Sequence, residues 1–236
     1  MPSANLSTFH NLVSTTFHLV IETPGASSFQ ILKDATLEDS PTPKFIFPPE
    51  STVEAENNST WKWSTDRPKI IFPSIESENL NECFLFISNN LDLADQFEEI
   101  SILLEKNSDF SIGKVLFFIN SPILLSPPTD FQQWVDACAH FADAMLFIGR
   151  NNENAGLIKS YQDRYTSLRY PMEAIVLGKK NNPWARILES FPRRITHIFD
   201  SPELLDTEDQ PEMDRYLVRL PSGHRKHAVP LIFAKH

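Results

Sequence analysis

The residues best placed to do chemistry lie near the N-terminus. Thr16-Phe17-His18-Leu19-Val20-Ile21 reads as an apolar strand running into the turn Glu22-Thr23-Pro24-Gly25-Ala26-Ser27-Ser28, and the turn opens an apolar-periodic helix beginning Phe29-Gln30-Ile31-Leu32. A turn between a strand and a helix N-terminus is where G-x-x-x-x-G-K-[ST] sequences hold nucleotide phosphates. They use backbone amides, a lysine and a hydroxyl on Mg²⁺. Laid over that pattern, Glu22 stands at the first glycine, Ser27 at the second, Ser28 at the lysine and Phe29 at the hydroxyl residue. A carboxylate thus replaces a residue that phosphates approach, and the neutralising cation is missing. Gly25, Ala26, Ser27 and Ser28 remain as weak phosphate-loop candidates, because the turn still offers amides and two hydroxyls.

Other clusters of reactive side chains lead less far. His224-Arg225-Lys226-His227 pairs two histidines with two cations that oppose a dication, and structural metal sites need four ligands; a solvated loop is expected. Asp92, Asp95, Glu98 and Glu99 crowd the start of a helix, where they complement its dipole as a solvated face. Ser28 lacks a local base and a G-x-S-x-G context. His140 reads as a packed or capping residue, and Arg193-Arg194 as a pair able to touch an anion. No catalytic constellation and no metal site is expected.

The elements that must position the turn follow from hydrophobic pattern. Cys83–Ile87, Lys114–Ile119, Ala144–Ile148 and Ala174–Leu177 are short apolar runs. Between them come helical patterns at Asp92–Lys106, Phe131–Phe141 (after the capping turn Ser126-Pro127-Pro128-Thr129-Asp130) and Ala155–Leu168. Continuous apolar strands separated by helices imply βαβ crossovers, hence an α/β three-layer sandwich with a mainly parallel sheet. Residues 36–79 form an irregular Pro/Ser/Thr-rich insertion. It carries two candidate edge strands, Lys44–Phe47 and Lys69–Phe72, and a loop bearing Trp61 and Trp63, expected to pack back on the domain. Residues 1–200 are expected to form one domain, and residues 201–236 an acidic linker and a C-terminal β-hairpin from Tyr216–Leu220 and Val229–Phe233.

Composition limits the function classes. The 236 residues carry a formal net charge of −10, against a nucleic-acid or anionic-membrane binder, which needs a basic face. No run approaches a membrane span and the N-terminus lacks a secretory pattern, so a soluble cytoplasmic protein is expected. Cys83 and Cys138 read as buried free thiols. Only 6 glycines are present against 18 prolines, and no glycine-rich loop exists to cradle phosphate.

From Glu82 to Gly178 the order of elements resembles the second half of a CobW/HypB/UreG-type P-loop GTPase domain. Leu85-Phe86-Ile87-Ser88-Asn89-Asn90-Leu91-Asp92-Leu93-Ala94-Asp95 occupies the place of the family's strand and E-[ST]-[ST]-G-[LI]-A-like switch, and Gly113–Asn120 that of its V-V-D strand. Ala142-Asp143-Ala144-Met145-Leu146-Phe147-Ile148 is similar to its A-D-x-[IV]-[LV]-[LV]-N-K-x-D guanine-reading strand. With the turn at 22–28, the outline spans residues 16–178. The informative letters differ. Ser88 replaces the acidic switch residue, Gly149-Arg150-Asn151-Asn152 does not restore N-K-x-D, and residues 33–80 hold no cysteine for the family's C-x-C-C metal site.

The resemblance therefore implies a P-loop NTPase-like fold in a catalytically inactive relative. It would act by binding or scaffolding, with no cofactor and a protein partner, either an intact GTPase paralogue or a second copy. A nucleotide-binding, metallochaperone-like protein with an unconventional phosphate loop is the alternative. A third is an unrelated doubly wound enzyme, with its ligand near Ser88, Asn120 and Arg150.

Overall fold

Strand β1 (Thr15–Glu22) has almost no exposed residue, because it lies at the centre of a sheet with helices on both faces. The computed structural model describes residues 15–36, 43–53, 59–64, 69–73, 81–178, 182–190, 193–196, 198–205 and 214–234. In chain order the elements are β1, α1 (Ser28–Thr36), β2 (Lys44–Phe47), β3 (Ser59–Thr60), β4 (Lys62–Ser64), β5 (Lys69–Ile71) and β6 (Glu82–Phe86). After them come α2 (Leu93–Lys106), β7 (Phe110–Asn120), α3 (Phe131–Phe141), β8 (Ala144–Ile148), α4 (Ala155–Ser167) and β9 (Glu173–Val176). Seven strands form one sheet in the order β3-β2-β6-β1-β7-β8-β9, and every pairing in it is parallel. This is the α/β arrangement, a parallel sheet between helices, that the alternation of strands and helices implies.

Alternate residues of the strands supply two cores. Phe17, Leu19 and Ile21 of β1 share one cluster with Phe97 of α2, Trp134 of α3 and Ile158 of α4. Val20 shares the other with Leu32 of α1, Phe45 and Phe47 of β2, and Ile187 of a short turn at Arg186–Ser190. Aromatic side chains tie α1 to the sheet: the Phe29 ring meets Phe45 and Phe47 edge-on at 5.0 and 5.3 Å, and Phe47 stacks on Phe86 at 4.6 Å. Such pairs contribute roughly 0.5–1.5 kcal/mol each beyond the area they bury. His18 is a buried polar side chain in the middle of β1. Its Nδ1 accepts the Lys114 amide at 3.0 Å, which fixes the proton on Nε2, 3.0 Å from Glu82 Oε1. The sheet register shifts there, and Gly113 is required, since a Cβ would lie 2.7 Å from the His18 ring.

Several expectations are corrected. β2 is not an edge strand, because two-residue β3 covers its outer side, and β5 leaves the sheet to pair antiparallel with β4. Trp61 is buried as expected, and its indole N–H donates to the Phe86 carbonyl at 2.9 Å; residues 54–58 and 65–68 of that loop lie outside the described residues. Asp92 caps α2 by accepting the Asp95 amide, but Asp130 does not cap α3: its backbone is left-handed (φ 62°) and its side chain makes no capping bond.

Most of the acidic stretch, residues 206–213, is also outside the described residues. Beyond it the expected β-hairpin is reduced to a single antiparallel bridge, Arg219 to Arg225, and residues 229–233 join no strand. Side chains hold this tail instead. Arg219 and Arg225 both grip Asp95 and Glu98 of α2, so those acids are not merely a solvated face. His140 pairs with the buried Asp214 at 2.5 Å, and Phe233 packs edge-on against Trp134 at 4.9 Å. Arg193 is engaged by Asp200, and Arg194 donates to the His140 carbonyl and gives its amide to Asp143, so this pair is committed to the fold rather than to an anion.

Candidate functional site

β1 hands the chain to β2 on one side, while β7 hands it to β8 on the other. The carboxyl ends of β1 and β7 therefore flank the point where strand order reverses, the place at which open parallel sheets bind ligands. Residues 22–28 lie at this point.

The turn is a closed hydrogen-bonded unit. Thr23, fully buried, donates its amide to Phe118 and accepts the Asn120 amide on Oγ1 at 2.7 Å. The Asn120 side chain donates to the Pro24 carbonyl at 3.2 Å, and Asn89, after β6, donates to the Glu22 carbonyl at 3.0 Å. Gly25 is left-handed (φ 78°), and a Cβ there would lie 2.8 Å from the Asn120 side chain. Ser27 is left-handed as well (φ 53°) and exposed, whereas Ala26 is buried.

The Glu22 carboxylate sits at the N-terminus of α1. Its Oε2 accepts the Ser28 hydroxyl at 2.5 Å and the Ser28 amide, the first of α1, at 3.3 Å. A carboxylate at a helix N-terminus satisfies orphan amides and meets the dipole favourably, as a phosphate would. Burial pushes the Glu22 carboxyl above its ordinary range, and the two Ser28 hydrogen bonds partly offset this. Of the phosphate-loop candidates, Ser28 is thus fully buried and its hydroxyl committed to Glu22.

Beside the turn is a cavity of about 400 Å³. Its walls include Phe29 of α1, Phe47 of β2, Phe86 of β6 and Phe233 of the tail, with Glu22 and Glu50 bringing carboxylates. Glu50 accepts the Ser88 hydroxyl at 2.5 Å, and Gln96 of α2 holds both the amide and the carbonyl of Ser88. The expected switch residue is therefore a serine bound to a carboxylate from another loop. Among the described residues that line the cavity there is no lysine, arginine or histidine.

The remaining expected positions are structural or lie apart. Asn151 and Asn154 satisfy each other's backbone at the end of β8, and exposed Arg150 does not line the cavity. Of the three residues of the third reading, Asn120 bonds to the turn, whereas Ser88 is held by Glu50 and Gln96 and Arg150 is exposed elsewhere. Asp143, of the guanine-reading resemblance, accepts the Val115 and Arg194 amides and so fastens the opposite end of β8. Sequence reasoning missed Glu50, Asn89 and Phe233. Glu50 follows two prolines after a short strand, and no local signal brings it to a serine 38 positions away.

GTP and Mg²⁺, which the nucleotide-binding alternative implies, do not fit this site. The phosphate position carries a carboxylate, no cationic side chain lines the cavity, and Phe29 stands where a hydroxyl would hold the metal. Among the described residues no group of three or more His, Cys, Asp or Glu could hold a metal ion, and no helix is long and apolar enough to cross a membrane. No family model and no curated protein matches the chain. The solved structure of the Zn(II)-bound YjiA GTPase from E. coli is similar over 77% of this chain and 67% of that one, with TM-score 0.45 and 12% identity. The likeness is one of outline, and nothing about ligand or activity follows from it.

Proposed function

We propose that this chain is a catalytically inactive relative of CobW/HypB/UreG-type GTPases that works as a binding or scaffolding protein. One observation carries the reading: the Glu22 carboxylate, bonded to the first amide and hydroxyl of α1, stands where a nucleotide phosphate would bind. A phosphate entering there meets a like charge and a hydroxyl already in use, and no lysine repays the cost. The proposed partner is a protein, an intact GTPase paralogue or a second copy of this chain, in the cytoplasm.

Thermal unfolding with GTP, ATP and Mg²⁺ tests the reading. A nucleotide held at about 100 times its Kd stabilises by about 2.7 kcal/mol, a readily visible shift in Tm. No shift with any nucleotide is expected. A clear shift with GTP would overturn the reading and favour the unconventional GTP-binding, metallochaperone-like alternative.

A further inference from the structure

We propose that the cavity at the reversal point binds an organic cation, a primary ammonium or guanidinium carried on an apolar stem. The proposal deepens the binding-protein reading and rests on it, since it takes the phosphate position as closed by Glu22.

The walls supply the two halves of such a ligand's recognition. Phe29, Phe47, Phe86 and Val53 give apolar surface, and the volume, about 400 Å³, suits a side-chain-sized guest. Glu22 enters from the end of β1 and Glu50 from the loop after β2, and each is held by a serine through one oxygen only: Ser28 on Glu22 Oε2 and Ser88 on Glu50 Oε1. The second oxygen of each carboxylate accepts no hydrogen bond from any described residue. Two pre-oriented acceptors over aromatic walls, with no basic side chain among them, match a multi-donor cation and repel an anion. Both carboxylates are anchored before any ligand arrives, so little ordering is needed on binding.

Two sources share this chemistry: a free amine, and a lysine or arginine side chain of a peptide. Phenethylammonium and N-acetyl-arginine methylamide are the respective probes, titrated against the full chain by calorimetry. 2-Phenylethanol and 3-phenylpropionate are the neutral and anionic controls, with GTP–Mg²⁺ run in parallel. At least one cation should bind, with both controls weaker by about ten-fold or more, the discrimination expected of a charge-assisted hydrogen bond. Glu50→Gln, at a half-buried position, keeps an acceptor for the Ser88 hydroxyl and should weaken the cation by about ten-fold in a chain that still unfolds cooperatively. Preference for phenethylammonium assigns a free amine, and preference for the arginine amide a basic segment. The proposal is overturned if no cation binds at millimolar concentration, if 2-phenylethanol binds as well as phenethylammonium, or if Glu50→Gln leaves the affinity unchanged. The GTP arm separates the two readings: cation failure without GTP binding sinks this proposal alone, whereas GTP binding sinks both.

Discussion

Removing the Ser28 hydroxyl tests whether a carboxylate closes the phosphate position. Ser28 is fully buried and donates at 2.5 Å to Glu22 Oε2, so Ser28→Ala strips a charged acceptor of its shortest bond without opening a large void. Hydrogen bonds to charged groups contribute about 1.5–3 kcal/mol. At ~2–4 °C per kcal/mol for a chain of this size, Tm should fall by about 3–12 °C. In a Glu22→Gln background the same substitution breaks a neutral pair worth about 0.5–1.5 kcal/mol, so a double-mutant cycle by urea unfolding should return a coupling of about 1 kcal/mol.

The pH dependence has a definite sign. Burial raises the Glu22 carboxyl in the folded state. The stability this group contributes is therefore complete below its unfolded value and is lost as pH rises through the folded one. Glu22→Gln, which keeps an acceptor for Ser28, should gain on wild type as pH rises above the ordinary carboxylate range, and Ser28→Ala should lose stability more steeply over the same rise. Equal costs for Ser28→Ala in the two backgrounds, or a Glu22→Gln deficit growing with pH, would refute the carboxylate-plug argument.

Three further substitutions test the supports of the site. Trp61→Phe leaves the buried Phe86 carbonyl without its indole donor, and chemical denaturation should show a loss of about 1–3 kcal/mol. Arg225 and Arg219 grip the same two acids, but the Arg225 side chain is 5% exposed and that of Arg219 43%. Arg225→Ala should therefore release the tail to limited proteolysis at a cost of about 3 kcal/mol, and Arg219→Ala should cost under about 1 kcal/mol with the tail still protected. Equal effects would place the anchor elsewhere.

Local pattern accounts for the layers and for what the turn lacks. Uninterrupted apolar runs such as Leu116–Ile119 cannot face water on either side, so a parallel sheet between helices follows from the residues alone. The absence of a lysine at Ser28 and of glycine at Glu22 is likewise a property of the letters. What Glu22 does was not legible, because a carboxylate at that position reads only as a missing glycine until the chain folds it back onto the amide and hydroxyl of Ser28. Glu50 reaching Ser88, Asp214 reaching His140 and Arg225 reaching Asp95 join positions 38, 74 and 130 apart. Such pairs leave no periodic trace, since loop and tail residues are constrained by what they meet in space rather than by their neighbours in the chain. The same reason undid the expected hairpin: Arg219 and Arg225 satisfy the acids of α2, so side-chain ion pairs rather than a β-ladder decide where the tail lies. The sequence by itself determined the sandwich and left the turn without a lysine or a glycine-rich loop; only the tertiary structure decided that two carboxylates and four phenylalanines would share one cavity beside that turn.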